Sequence, residues 1–161
     1  THGGGEGAQA SRDGTSGIRV HMANTMNTPI EAVEAEYPLR VEAYHLIPNS
    51  GGKGKYRGGL GLRRVYRILA PEGQATTMAE HTVVPPYGLF GGEPGRCFRI
   101  ILNPHKEARH LKGKETVALK EGDVIAVEGV GGGGYGPPED RDPELLEKDR
   151  LEGYVTMGSE T

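Results

Sequence analysis

His21, Asn24, Thr25, Asn27 and Thr28 stand together in Ile18-Arg-Val-His-Met-Ala-Asn-Thr-Met-Asn-Thr-Pro-Ile-Glu-Ala-Val-Glu-Ala-Glu-Tyr-Pro-Leu-Arg40. The imidazole of His21 titrates near neutrality, so it suits proton transfer or metal contact. The Asn and Thr side chains carry donors and acceptors on short stems. They suit either turn formation or the binding of an amide or an oxyanion. Ile18, Val20 and Met22 alternate with Arg19 and His21, which predicts a short strand. Thr28-Pro29 predicts a helix N-cap with proline in the first turn, followed by Glu31 and Glu34 near the helix start. Ile30 and Val33 give that helix an apolar face, and Tyr37-Pro38 ends it, because the residue before proline avoids the α region. A strand thus delivers His21 and an Asn/Thr loop onto a short helix.

Other groups have weaker claims. His2 and Asp13 could approach His21 and give two imidazoles and a carboxylate, acceptable metal ligands in type, but at no recognised metal spacing. Ser50-Gly-Gly-Lys-Gly-Lys55 invites a phosphate-binding reading. It lacks the Gly-Lys-Ser/Thr ending and a following helix, so a connecting loop fits better. Arg57 and the pair Arg63-Arg64 read as a solvated loop or strand face. His81 falls at a predicted strand end before Pro85-Pro86, a place for either a substrate contact or a hydrogen-bonded structural imidazole. Tyr135 sits among Gly131–Gly134 and Gly136, in a loop able to cradle an anion or to cross a crowded sheet edge.

The rest of the chain supplies strands. Alternation predicts them over 39–47, 58–70, 74–84, 98–102, 116–119 and 123–127, with Pro71-Glu-Gly73 folding 58–70 and 74–84 into a hairpin. Asp142, Pro143 and Gly153 bracket a second helix, whose Leu145, Leu146 and Leu151 predict an apolar docking stripe. Tyr154-Val-Thr-Met predicts a last short strand. The fold class expected is mainly β, an antiparallel sandwich or barrel-like domain with two short helices, part of a larger assembly. Residues 1–17 form a Gly-rich N-terminal arm and 18–161 the β domain. Twenty-seven glycines in 161 residues, with no tryptophan, leave a thin core, which implies a partner. Tyr87, Leu89 and Phe90, on a Gly/Pro-rich loop, read as a plug over the core or a subunit contact. A net charge of −3 argues against nucleic-acid binding. A single cysteine, Cys97, allows no internal disulfide and fits a reducing cytoplasm. Neither a secretory signal nor an apolar run of membrane-spanning length is present.

The stretch from His21 to Pro38 resembles the signature of the hydantoinase B/oxoprolinase family, whose members carry a His-Met-x-Asn-Thr-x-Asn-Thr run before a Glu-x-x-Tyr-Pro segment. Three further segments resemble that family in its own order: Ser50–Gly61, Pro85–Gly92 and Gly131–Pro137. The resemblance covers nearly all of the chain, which corresponds to the C-terminal part of the family's large subunit. It implies an ATP-dependent enzyme opening cyclic amides such as 5-oxoproline or N-methylhydantoin. Alternatively, it implies an ATP-dependent carboxylase of ketones such as acetone or acetophenone, or a noncatalytic structural subunit of either. It also implies a hydantoinase A-type partner that binds most of the ATP, and an upstream hydantoinase B N-terminal portion. A divalent metal is implied in the assembly, with ligands outside this chain. Catalytic roles carry over to His21, Asn24 and Thr25, and substrate contact to Asn27 and Thr28, with His81 and Tyr135 as further candidates. Thr1, in place of an initiator Met, implies specific cleavage, separate encoding or accidental proteolysis. Specific cleavage would give Thr1 the potential of an N-terminal nucleophile.

Overall fold

The computed structural model describes residues 2–19 and 26–156. The helix expected after the signature is α1, Ile30–Glu36. Its N-cap is Pro29, with no side-chain cap, so Thr28 does not take the capping role its position suggested. Tyr37 leaves the helix in an extended conformation, as the following proline requires. The Glu34 carboxylate accepts the Val41 N–H at 2.7 Å, fastening α1 to the first strand.

Seven strands follow: β1 Leu39–Leu46, β2 Leu62–Ile68, β3 Glu72–Met78, β4 Arg99–Leu102, β5 Arg109–His110, β6 Lys114–Lys120 and β7 Val124–Glu128. They form an antiparallel five-stranded sheet in the order β1-β2-β7-β4-β5 and a separate ribbon, β3-β6. No barrel closes among the described residues, and the arrangement is sandwich-like. Period-two alternation divides the residues of the central strands between two apolar clusters. Ile100, Leu102 and Ile125 face Val117, Leu119 and Ala75 of the ribbon. Ile101, Val124 and Ala126 turn the other way, onto Val65 and Ala43.

The hairpin expected between β2 and β3 does not form. β2 pairs with β1 and β7, and β3 pairs with β6. The chain passes from sheet to ribbon around Pro71, and returns through Gly122, whose φ of 85° suits glycine. The two crossings lie side by side: the Gly122 N–H donates to Ile68 O and the Ile68 N–H to Asp123 O, at 2.9 and 2.8 Å. They act as one corner shared by two bent strands.

The glycine clusters build a second kind of layer. Four successive residues of Gly131–Gly134 abut three different segments in rotation. A methyl on Gly131 would overlap the carbonyl oxygen of Ser50, one on Gly132 that of Glu6, one on Gly133 that of Tyr87, and one on Gly134 that of Lys53. The fourth returns to the segment met by the first. A three-residue period is that of a polyproline II-like chain, which has no internal hydrogen bonds and must bond to its neighbours. It does so here: Gly52 N–H donates to Gly132 O, Ala8 N–H to Gly133 O, Leu89 N–H to Gly134 O and Gly132 N–H to Gly59 O, at 2.8–2.9 Å. Residues 2–17 are woven into this bundle: Gly5 N–H donates to Val130 O and Gly59 N–H to Glu6 O, both at 2.8 Å.

The second helix, α2, is Pro143–Leu151, and Asp142 caps it by accepting the Glu144 N–H at 2.8 Å. Of the expected leucine stripe, Leu145 and Leu146 are half-buried and Leu151 is not. Leu151 is 80% exposed, and the buried residue of the helix is Asp149. Tyr154–Thr156 forms no strand. Asn49 clasps that segment, with its amide donating to Thr156 Oγ1 and its carbonyl oxygen accepting the Thr156 N–H.

Candidate functional site

His21, Asn24 and Thr25 lie outside the described residues, and the structure places the residues on either side of them. Asn27 is exposed, and its Oδ1 accepts a 2.6 Å hydrogen bond from Nη2 of Arg64 on β2. Thr28 is exposed beside it. Arg64 is buried, with 7% of its surface exposed. Its guanidinium lies 4.0 Å from the Tyr44 ring centroid of β1 and donates through Nη1 to Tyr66 Oη at 3.1 Å. The reading of Arg64 as a solvated strand face is therefore corrected. The signal was the two-residue period: Leu62, Arg64 and Tyr66 share one face of β2, and Leu62 is buried.

His2 sits on this side too. Its Nε2 contacts Leu62 O at 2.7 Å, and its ring meets Phe98 edge-on. Burial chiefly lowers its pKa, with help from the positive charges of Arg64 and Arg19, so the imidazole is held neutral. Asp13 is engaged elsewhere, so the His2–Asp13 pairing considered for a metal is not formed. Among the described residues no group of three His, Cys, Asp or Glu side chains could hold a metal ion. No described donor set therefore fits the divalent metal that the family resemblance implies.

His81 and Tyr135 do not join Asn27 through any hydrogen bond or ring contact among the described residues. His81 takes a φ of 56° and its Nδ1 bonds Val84 O within its own loop. Tyr135 exchanges backbone hydrogen bonds with Tyr56 inside the glycine bundle, and its ring packs on Phe90 at 5.1 Å.

A second polar centre was not legible as such. The Asp149 carboxylate is reached by Arg57 Nε at 3.2 Å and by Arg141 Nη2 at 2.6 Å. Arg141 also makes a fork to both oxygens of Asp13, each at 2.9 Å, and Asp13 Oδ1 accepts the Arg57 N–H at 2.7 Å. Two guanidiniums thus meet two carboxylates, and the network is neutral. It floors a cavity of about 620 Å³ bordered by Gly51, Lys53, Leu146 and Thr156. It ties together the N-terminal segment, the Gly50s loop and α2, and serves as the charged counterpart of a core.

These contacts set an acid limit. Burial raises the Asp13 pKa, but the Arg141 fork and the Arg57 N–H outweigh it, and the net shift is downward from 3.8. Asp123 is likewise lowered: burial opposes, while the Asn103 amide and the Lys120 N–H prevail. For such carboxylates the folded state binds fewer protons than the unfolded chain. Their contribution is complete above the ordinary pKa and is lost as pH falls through the folded value. His2, a base with a lowered pKa, carries the same sign, beginning near its ordinary 6.5. Urea midpoints are expected to be flat above about pH 7, to decline gently below it, and to fall steeply below about pH 4. D13N is expected to flatten part of the steep limb.

The described residues contain no helix long and apolar enough to cross a membrane. Comparison with known proteins matches residues 1–138 to the family described as hydantoinase B/oxoprolinase. The chain is 38% identical over 137 residues to 5-oxoprolinase 1 of Arabidopsis thaliana, a match covering 84% of this chain and 11% of that protein. Among solved structures, the ATP-dependent caprolactamase of Pseudomonas jessenii superposes with a TM-score of 0.84 at 24% identity, covering 96% of this chain and 28% of that one. A nucleotide-free acetone carboxylase superposes at 0.81, also at 24% identity, covering 97% and 25%. At that identity the two structures establish a shared fold. The chain spans between about a tenth and a quarter of the length of the curated relatives it matches.

Proposed function

This chain belongs to the hydantoinase B/oxoprolinase family, and from that membership we propose that it is part of an ATP-dependent cyclic amide hydrolase of the 5-oxoprolinase or N-methylhydantoinase type. The likeness to a named 5-oxoprolinase, across most of the chain, carries the reading. The assembly includes the remaining hydantoinase B portion and a hydantoinase A-type subunit that supplies the nucleotide site. ATP contributes a phosphoryl group to the amide oxygen, which converts a poor electrophile into one that water can attack.

The residues of this chain then position and transfer protons. His21 takes the proton of the attacking water or returns one to the departing ring nitrogen. Asn24 and Thr25 hold the carbonyl group as charge develops on it. Asn27 and Thr28 orient the ring. Before ligand arrives Arg64 holds Asn27 through Nη2, so the end of the signature is anchored on a buried strand rather than on a free loop.

The ketone carboxylase reading shares the scaffold and is separated by one reagent. Incubating the protein, assembled with its hydantoinase A-type partner, with ATP and 5-oxoproline in bicarbonate-depleted buffer is expected to give ADP and opened amino acid in equal amounts. ADP formation that requires both a ketone and bicarbonate would overturn the hydrolase reading in favour of the carboxylase. An unchanged rate when this chain is left out of the assembly would remove it from the catalytic machinery.

A further inference from the structure

We propose that Arg64, together with Arg19, forms an oxyanion-binding site that receives a carboxylate or phosphoryl group. The other buried guanidiniums of this protein are neutralised by carboxylates: Arg57 and Arg141 by Asp149 and Asp13. Arg63 and Arg96, partly buried, share Glu128 in the same way. Arg64 departs from that pattern. It is 7% exposed, yet among the described residues its polar partners are an amide oxygen and a phenol, with Tyr44 against its face. Its Nε is buried and has no hydrogen-bond partner, as is true of Arg141 Nε, but Arg141 has two carboxylates on its other nitrogens and, among the described residues, Arg64 has none. Arg19 repeats the anomaly, with a buried Nη1 that also lacks a hydrogen-bond partner. Neither arginine forms an ion pair with a described Asp or Glu.

A buried charge left without an opposite charge is costly, and so is a buried N–H left without an acceptor. Two such groups on one side of the domain create a demand that one anion would meet. Both guanidiniums lie near enough to His2 for their charges to act on it, so the positive potential there is shared. The geometry also gives a way in. Asn27 is exposed and its oxygen is the partner of Nη2, so an arriving oxyanion would replace a neutral acceptor with a charged one. The Tyr44 ring 4.0 Å from the guanidinium of Arg64 holds the fork in place.

Two sources have this chemistry: a carboxylate carried by the substrate, or the phosphoryl group transferred to it. The hydrolase reading suggests the choice of probes, but binding can be tested without turnover. The protein, labelled with 15N-arginine, would be titrated separately with acetate and with inorganic phosphate while the Arg64 Nε–H resonance is followed, with assignment by R64K. Saturable movement of that resonance is expected, with R64K, followed on the Arg19 Nε–H resonance, weakening binding at least tenfold because it keeps the charge and loses the fork. A preference for acetate assigns a substrate carboxylate, and a preference for phosphate assigns the transferred group. An Arg64 resonance unmoved by either anion would overturn the proposal. R19Q, read on the same wild-type Arg64 signal, is expected to weaken the favoured anion several-fold, and unchanged affinity would remove Arg19 from the site. Because neither ATP nor a cyclic amide is present, failure here leaves the hydrolase reading standing, and failure of turnover leaves a positive titration standing.

Discussion

Gly131→Ala is expected to remove a large share of the folding stability. The added methyl falls on the carbonyl oxygen of Ser50, which already accepts the Arg96 N–H at 2.8 Å. Ser50 cannot yield. It is 1% exposed, and its hydroxyl donates to Ile47 O at 2.6 Å while accepting the Gly61 N–H at 2.9 Å. Relief would require parting two backbone segments of the bundle, at a cost of about 3 kcal/mol or more. A domain of this size has only about 5–15 kcal/mol to lose. Gly73→Ala is the matched control, because nothing lies within 4 Å of its added methyl on β3. That substitution is expected to be neutral or to stabilise by up to about 1 kcal/mol, by restricting the unfolded chain. Urea unfolding followed by circular dichroism separates the two. Equal midpoints would show that the glycine bundle is not packed backbone on backbone.

The second large effect is expected at Asp149. Asp149→Ala removes the carboxylate between Arg57 and Arg141, leaving the buried Arg57 guanidinium with no ion-pair partner among the described residues and Arg141 with Asp13 alone. Breaking a buried pair from one side costs about 3–5 kcal/mol, since the remaining charge keeps its desolvation penalty. Leu151→Ala, on the same helix but 80% exposed, is expected to change stability by less than about 0.5 kcal/mol. Denaturant midpoints of the two variants rank the contributions. A larger loss at Leu151 would restore the apolar-stripe account of how α2 docks.

These two positions also show which parts of the fold were legible in the sequence. Strand positions were readable because apolar alternation reports which face is buried, and β1, β2, β4, β6 and β7 fall where it placed them. Pairing was not readable: the corner at Pro71 and Gly122 sends β3 to a different sheet, and alternation within a strand carries no information about its neighbour. The glycine clusters were read as loops for a related reason. A polyproline II-like period of three leaves no mark in a run such as Gly131–Gly134, where every residue is the same. Asp149 was hidden inside a helix that looked amphipathic through leucine, since its partners Arg57 and Arg141 come from distant segments. Of the signature, Asn27 was singled out for substrate contact, and the structure adds that its oxygen is held by Arg64, which the sequence pattern had suggested to be solvated. Arginines on a strand usually are solvated, and the Tyr44 and Tyr66 rings that surround this one come from separate positions on β1 and β2.

The most direct test of ring opening through a phosphorylated amide oxygen follows that oxygen. 5-Oxoproline carrying 18O in its ring carbonyl would be turned over with ATP by the protein assembled with its nucleotide-binding partner. Activation by phosphoryl transfer places the labelled oxygen between carbon and phosphorus; one water attacks the carbon and expels the ring nitrogen, and a second water attacks the same carbon of the resulting acyl phosphate and releases phosphate. The account predicts 18O in the inorganic phosphate, with solvent oxygen in the new carboxylate. Label retained wholly in the carboxylate, with unlabelled phosphate, would contradict it.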